Sequence, residues 1–319
     1  MKNFRIGSLA LVLTVISGTA AGQAVGIGTT KGGATAQVAA VISKVVSSHA
    51  GGLQMRTQVM GGTQKYIPVV NAGDLQFGIA NMMQTWMAYT GTGLSEGKKY
   101  DNLRLVATMM TFRVGAIVAG NSEIRKISDL KGKRIPFGFQ AAPLFQHLMT
   151  AYLANGGLGW DDVQKVPQIG LRQHWDALKQ GKIDVVSAAV GAAAIKDMNA
   201  KIKGGVRYVS FDASPAGRAR ILKHAPKTYL TLVNPAKPFT GVLEPVYTIA
   251  FDYMLWAHKG VPADEVAKVA QAMYENEKEL KASSPLWSSH SSQKMAKDQG
   301  MPYHPGAEAY YKKVGIWKR

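Results

Sequence analysis

Two long apolar segments constrain the fold of this chain more than any other feature. The first, at residues 103–119, reads LRLVATMMTFRVGAIVA, and the second, at residues 245–258, reads PVYTIAFDYMLWAH. An ordinary strand has about 3–10 residues, so the first segment is too long to lie within one small sheet. A strand of this length is expected to leave one lobe and enter another, and the second segment returns the chain. We therefore predict two lobes that are joined by two crossing strands.

Strand-like and helix-like segments alternate on either side of the first crossing. VGIGT, LQMRTQVM and LQFGIAN are strand-like, and a helix-like segment follows each of them. This order predicts a parallel sheet with helices on both faces, and ligands bind at the carboxyl ends of such strands. The predicted class is therefore α/β, with two α/β lobes joined by hinge strands. The predicted boundaries are lobe 1 at 24–114, lobe 2 at 115–248, and a return to lobe 1 with the C-terminal helices at 249–319. The predicted C-terminal helices lie at 263–282, about 285–299, and 306–314.

The N-terminus has the three parts of a secretory signal peptide. Lys2 and Arg5 precede an apolar stretch, and small residues follow it. This pattern predicts a signal peptide at residues 1–23, with cleavage after Ala21 or Ala24. The apolar stretch is too short for a permanent membrane anchor, and a chain without cysteine has no lipidation site. We expect an exported protein that is not a lipoprotein.

The charge of the chain is strongly positive. Its 38 Lys and Arg residues exceed the 20 Asp and Glu residues, which gives a formal net charge of +18. An exported protein does not normally meet nucleic acid, so anionic solutes, lipid surfaces or a membrane partner are the expected counterparts. The alternative is a solvated basic surface.

A glycine-rich loop, VGIGTTKGGAT at residues 25–35, precedes the first helix-like segment. It lacks the third glycine of the dinucleotide fingerprint, and Ala34 stands where a P-loop has its Lys. What remains is a set of N–H groups and the hydroxyls of Thr29 and Thr30 at a helix N-terminus, which suit a carboxylate. A tight turn with a purely structural role is the alternative.

No catalytic, metal-binding or cofactor-binding pattern is present in the sequence. GLSEG at residues 93–97 has the G-x-S-x-G spacing, but a helix-like segment precedes the serine where a nucleophile elbow needs a strand. The seven His residues show no ligand spacing, and no two carboxylates are placed as an acid and base pair. We therefore predict that the protein is not an enzyme and needs no metal or cofactor.

Arg113 lies within the first long apolar segment, where the chain should cross between the lobes. A buried guanidinium without a partner is costly, and its planar fork binds carboxylates with two hydrogen bonds. Arg113 is therefore a candidate charge partner for an anionic solute at the hinge. An internal salt bridge or a snorkelling side chain is the alternative.

Several segments, in order along the chain, resemble one family. They are GTTKGGAT, GGTQKYIPVVNAGDLQFGIAN, ISDLKGKRIPFG, WDALKQGKIDVV followed by AVGA, and PYHPGAEAYYKKVG. Together they are similar to the TAXI family, the solute receptors of tripartite ATP-independent periplasmic (TRAP) transporters. The resemblance implies a monomeric, bilobal type II-like periplasmic binding protein, which binds a small carboxylate such as glutamate or 2-oxoglutarate and delivers it to a sodium-coupled permease. An ABC-type binding protein and a solute sensor are the alternatives.

The family pattern implies a set of ligand-binding residues in both lobes. From the residue pattern and the resemblance together, the predicted set is Thr29, Thr30, Gly32, Gly33, Gly62, Thr63, Asn81, Arg113, Gln140, Ala141 and Gly191. Thr35 and Ala36 stand where the family usually has an aromatic pair. After IPFG the family has a G-S-G-T turn, whereas this chain has the segment 139–144, FQAAPL. This departure removes donors and predicts a less polar pocket than one for glutamate.

Overall fold

The computed structural model of the protein describes residues 22–318. Its strands are β1 (Gln23–Thr30), β2 (Leu53–Met60), β3 (Phe77–Asn81), β4 (Leu103–Ala119), β5 (Arg134–Gly138), β6 (Gln164–Gln168), β7 (Val186–Ala189), β8 (Val206–Val209), β9 (Tyr229–Val233) and β10 (Val246–His258). Its helices are α1 (Gly33–His49), α2 (Thr63–Ala72), α3 (Met82–Thr90), α4 (Leu144–Asn155), α5 (Leu171–Lys179), α6 (Ala193–Lys201), α7 (Pro215–His224), α8 (Ala263–Glu275), α9 (Glu277–Ser283) and α10 (Pro305–Lys313).

The predicted signal peptide, residues 1–23, lies outside the described residues except for its last two. Of these, Gln23 already begins β1, where it pairs with Leu53 of β2. Cleavage after Ala21 would leave this strand whole, whereas cleavage after Ala24 would shorten it.

The two long apolar segments form two long strands, as predicted, and these strands pair with each other as one antiparallel ribbon. β4 pairs with β10 from Leu103 opposite His258 to Val114 opposite Ile249. β3 pairs with the second half of β10, whereas β9 pairs with its first half. The second half of β4 pairs with β7 and β8. One pair of strands therefore belongs to both halves of the molecule, which confirms the bilobal architecture.

We call lobe 1 the half that contains β1–β3 and lobe 2 the half that contains β5–β9. In lobe 1, β1 lies between β2 and β3 and is parallel to both, as helical crossovers require. In lobe 2, β5 and β6 form a separate parallel pair. The predicted boundaries at 114/115 and 248/249 fall inside β4 and β10, and they remain predictions.

The segment at 285–299, which the sequence predicts as a helix, forms no α-helix in the structure. Only two short 3₁₀ turns occur there, Pro285–Trp287 and Ser292–Lys294. The segment instead covers the free edge of β4, where the N–H of Thr108 donates to the carbonyl of Met295. An unpaired strand edge inside a protein must find hydrogen-bond partners, and this need outweighs the local helix preference.

Two further elements differ from the sequence prediction. α7 and β9 were not predicted as separate elements, and they fill the interval between β8 and β10. Asp129 lies within the 3₁₀ turn Ile127–Leu130. Its carboxylate accepts hydrogen bonds from the N–H groups of Arg125 and Lys126, so it caps the turn by reaching back.

Candidate functional site

Three helices begin at glycines that supply no side-chain cap. Gly32 precedes α1, Gly62 precedes α2 and Gly170 precedes α5, each with an extended backbone. The first N–H groups of a helix have no partner within the helix, and the helix dipole makes this end positive. Such helix starts are suited to bind the oxygens of an anion.

The three helix starts meet where the two lobes are in contact, and we call this place the cleft. A β-carbon at Gly33 would lie 3.5 Å from Cδ1 of Leu171 and 3.6 Å from Cη2 of Trp175, both in α5. A β-carbon at Gly62 would lie 2.8 Å from the carbonyl oxygen of Ala141. The lobes are therefore in close contact here, and glycine at position 62 permits the close approach.

Lobe 1 contributes buried hydroxyls to its wall of the cleft. Thr29 is 2% exposed, and its hydroxyl donates to the carbonyl of Thr35 at 3.4 Å. The more exposed Thr30 donates to the carbonyl of Gly32 at 2.8 Å. The Thr63 hydroxyl lies 3.3 Å from the hydroxyl of Tyr66, which donates its own proton to the carbonyl of Ile79. These bonds hold both glycine-rich loops in fixed conformations.

Asn81 anchors a second polar network in lobe 1. Its side-chain oxygen caps α3 by accepting from the N–H of Gln84 at 2.9 Å, and its amide donates to the Gln84 side chain at 2.6 Å. Gln84 in turn donates to the side-chain oxygen of Gln64 at 2.8 Å. The buried Nε2 of Gln64 has no acceptor among residues 22–318, so this network ends in an unused donor.

Tyr253 from β10 contacts the start of α1. Its hydroxyl lies 2.6 Å from the Thr35 hydroxyl, and its ring stacks on Phe112 with centroids 4.7 Å apart. Burial raises the pKa of Tyr253 well above its ordinary value, so this phenol remains protonated. Thr35 stands where the family resemblance placed an aromatic residue, and here the aromatic ring comes from β10 instead.

Lobe 2 contributes a wall with few free donors. The N–H of Ala141 already donates to the carbonyl of Ile169 at 2.8 Å. Gln140 is exposed, and its side chain makes no hydrogen bond with other described residues. Phe139 adopts φ 46°, which is unusual for a non-glycine residue, and its buried ring packs edge-on against His174. The FQAAPL turn is thus held by an aromatic contact and main-chain bonds.

His174 fixes the first turn of α5. Its Nδ1 lies 2.6 Å from the carbonyl of Leu171, and its Nε2 lies 3.3 Å from the N–H of Ser187. The neutral ring with a proton on Nδ1 satisfies both contacts. Burial lowers the pKa of His174 to about 4.

Arg113 and Gly191 lie together beside the segment 285–288. The Arg113 guanidinium donates to the hydroxyl of Ser288 at 3.1 Å and lies 4.8 Å from the ring centroid of Phe239. A β-carbon at Gly191 would lie 2.9 Å from Cβ of Pro285. No carboxylate within the described chain pairs with Arg113, and burial lowers the pKa of its guanidinium. The alternative of an internal salt bridge therefore finds no partner among these residues.

The structure thus divides the predicted residues into two groups. The first group holds the lobe 1 residues together with Gln140 and Ala141, and the second holds Arg113 and Gly191. The prediction missed Gly170 and Trp175, whose indole donates to the carbonyl of Ser187 at 3.0 Å. The sequence QIGLRQHW carries the same strand, glycine, helix order as the two lobe 1 loops, and this signal could have identified Gly170.

Within residues 22–318, no three His, Asp or Glu side chains are grouped so as to hold a metal ion. The helices in this range also include none with the length and hydropathy needed to cross a bilayer.

The fold is that of two-lobed periplasmic binding proteins. It is similar to the structure of a periplasmic transporter, with 18% identity over 92% of this chain and 93% of that one and a TM-score of 0.57. It is also similar to periplasmic binding protein BugD, with 12% identity over 93% and 99% of the two chains and a TM-score of 0.56. MatC from Rhodopseudomonas palustris with bound malate has 15% identity over 92% and 97% and a TM-score of 0.56. The sequence identifies the family of the chain. Residues 27–315 match the NMT1-like family, and the chain belongs to that family.

Proposed function

We propose that the protein is an exported, non-catalytic solute receptor that binds a small carboxylate between its lobes. The observation that carries this proposal is the meeting of three uncapped helix starts, at Gly32 and Gly62 in lobe 1 and Gly170 in lobe 2. Helix starts from both lobes would bind the carboxylate only when the lobes are closed. Such contacts drive closure, because a ligand favours the state in which it makes more of them.

Arg113 supplies the proposed charge compensation at the hinge. Its guanidinium is half-buried and has no acidic partner among the described residues, so an anionic solute would gain a charged hydrogen bond there. Gly191 lies on the adjacent loop, where it follows β7. In this proposal the two groups of residues contact different parts of one solute.

The proposed partner is the sodium-coupled permease of a TRAP transporter. Support comes from the segments that resemble the TAXI family, PYHPGAEAYYKKVG above all. MatC, which shares the fold, was solved with malate bound, and this supports a carboxylate as the class of solute. Uptake assays distinguish the TRAP receptor from an ABC-type receptor and from a sensor. They compare cells that lack this protein with the same cells after the protein is restored. Uptake that follows the sodium gradient supports the TRAP partner, whereas uptake that requires ATP contradicts it.

The cleft is tested by a matched pair of glycine variants. A methyl group in Gly62→Ala would meet the Ala141 carbonyl at 2.8 Å, whereas one in Gly61→Ala would meet nothing within 4 Å. Both residues precede α2 in the same loop. Overpacking of this kind costs about 1–3 kcal/mol, so we expect Gly62→Ala to weaken carboxylate binding by about that amount and Gly61→Ala to leave it unchanged.

Titration calorimetry with a panel of mono- and dicarboxylates measures this difference. The wild type must first bind at least one member of the panel. A panel in which no carboxylate binds, or equal affinities for the two variants, would contradict the proposed cleft.

A further inference from the structure

A cavity lies on the face of the β4–β10 ribbon that is opposite to α1. Phe112 stacks on Phe251 and Tyr253, so these three side chains share the face that meets α1. Successive residues of a strand project to opposite faces, so Thr111 and Asp252, which are paired with each other, project to the opposite one. On that face a cavity of about 360 Å³ opens, and its lining shares no residue with the cleft described above.

The walls of this hinge cavity come from three parts of the chain. β4 and β10 form its floor, Tyr229 at the start of β9 forms one side, and the segment 289–297 forms the other. The volume falls within the range of about 300–1,000 Å³ that is usual for small-molecule sites.

The acidic group in the hinge cavity is already neutralised. Asp252 is 6% exposed, and its carboxylate accepts from Lys297 Nζ at 2.5 Å and from Gln299 Nε2 at 2.7 Å. The Thr111 hydroxyl lies 3.5 Å from its other oxygen. A carboxylate with these partners has little capacity left for a cation.

The remaining groups at the hinge cavity are donors without an anionic partner. Lys294 lines the cavity, and its ammonium forms no ion pair or hydrogen bond with the described residues. The Ser291 hydroxyl also has no partner among them, and the Tyr229 hydroxyl makes only a 3.3 Å contact with Thr111. One uncompensated positive charge with two adjacent hydroxyls suits a small oxyanion.

We propose that the hinge cavity is a second anion site, which binds a carboxylate or phosphate group separately from the solute cleft. Tyr229 belongs to lobe 2 because β9 pairs with the first half of β10. Lys294 is held against lobe 1 because the adjacent Met295 accepts from Thr108 of β4. An anion that contacts both residues bridges the two lobes and favours their closed arrangement.

The lobes already meet beside this site. Lys227, two residues before Tyr229, places its ammonium 4.0 Å from the ring centroid of Trp86 in α3. The contact joins lobe 2 to lobe 1 near Gly300, which follows the Gln299 that donates to Asp252. Because binding at two coupled sites is reciprocal, an anion at the hinge raises the affinity of the cleft for its solute.

The test uses two probes, inorganic phosphate and succinate, titrated calorimetrically into the full exported chain at constant ionic strength with chloride as the other anion. Lys294→Met removes the charge and keeps the length of the side chain. Lys203→Met is the control, because Lys203 is exposed, forms no ion pair in the described chain and lies in lobe 2, away from the cavity.

We expect the wild type to bind at least one probe, Lys294→Met to bind it at least tenfold more weakly, and Lys203→Met to match the wild type. Preference for phosphate or for succinate identifies the source of the anion. Binding of neither probe by the wild type overturns the proposal, and so does equal binding by Lys294→Met and the wild type.

The cleft variant Gly62→Ala separates this site from the solute cleft. Probe binding that depends on Lys294 and persists in Gly62→Ala places the anion at the hinge. Binding that disappears in Gly62→Ala but is unchanged in Lys294→Met places the anion in the cleft and overturns the hinge site, while leaving the proposed receptor function intact.

Discussion

The two walls of the cleft are built in different ways. In lobe 1 the polar side chains are buried and bonded to one another: Asn81, for example, is 3% exposed and holds the start of α3. In lobe 2 the facing turn presents Gln140 and Ala141, both exposed, and is positioned by the buried ring of Phe139. Lobe 1 is thus a preorganised polar surface, whereas lobe 2 contributes shape.

This difference assigns separate tasks to the lobes. Preorganised donors bind a polar group at low entropic cost, because they do not have to be ordered by the ligand. A wall of exposed small side chains selects solutes by their size and by how closely they can approach it. We therefore expect the charged end of the solute to face lobe 1 and the hinge, and its variable end to face the Phe139–Leu144 turn.

The largest expected effect is a loss of stability at low pH. It depends on His174, which positions the lobe 2 wall. This histidine has a pKa of about 4 in the folded protein, below the ordinary value of about 6.5 that it takes when unfolded. At a pH between these two values, the unfolded chain binds a proton at this histidine more readily than the folded protein does. The folded protein is therefore fully stable with respect to this group above pH 6.5 and loses stability as the pH falls toward 4.

The loss that belongs to His174 amounts to about 2–3 kcal/mol at pH 4.5. Urea unfolding at pH 7.5 and pH 4.5 measures it as the difference between the wild type and His174→Gln, which no longer titrates. His224→Gln is the control, because His224 ends α7 and its side chain makes no hydrogen bond or ion pair within residues 22–318. An equal fall in stability for the wild type and His174→Gln would show that the lobe 2 wall does not depend on the neutral ring.

Much of the fold follows from local sequence patterns. The apolar segment at 103–119 has the same bounds as β4, and α1 and α2 begin at the predicted glycine-rich loops. These features depend on hydrophobic periodicity and on residues that start helices, and both are properties of short stretches.

The site was less predictable because it depends on contacts between distant parts of the chain. The meeting of Gly170 with the lobe 1 loops requires the packing of one lobe against the other. The surroundings of Arg113 and Gly191 depend on Ser288 and Pro285, respectively, in a segment that the sequence predicts as helical. That segment forms short 3₁₀ turns instead of an α-helix because it bonds to the edge of β4, and no local sequence pattern reveals such an edge.

The variant Arg113→Ala tests whether the hinge and the polar wall of lobe 1 both bind the anion. Arg113→Ala removes a charged hydrogen bond and is expected to weaken binding of the best carboxylate by about 1.5–3 kcal/mol. Arg56→Ala is the control, since Arg56 is exposed on β2 and also carries one positive charge. Calorimetric affinities that agree between Arg113→Ala and the wild type would remove Arg113 from the site and leave the helix starts as the anion-binding groups.

The smallest expected effect lies in the exposed turn of lobe 2. Gln140→Ala removes the polar side chain of that turn and is expected to weaken solute binding by about 0.5–1.5 kcal/mol, the value of one neutral hydrogen bond. Its free energy of unfolding should change by no more than about 0.5 kcal/mol, because the side chain is exposed and makes no bond within residues 22–318. Gln180→Ala is the matched control, because Gln180 is exposed at the C-terminal end of α5. If Gln140→Ala instead lowers stability without changing affinity, the turn is a structural support and lobe 1 alone supplies the polar contacts.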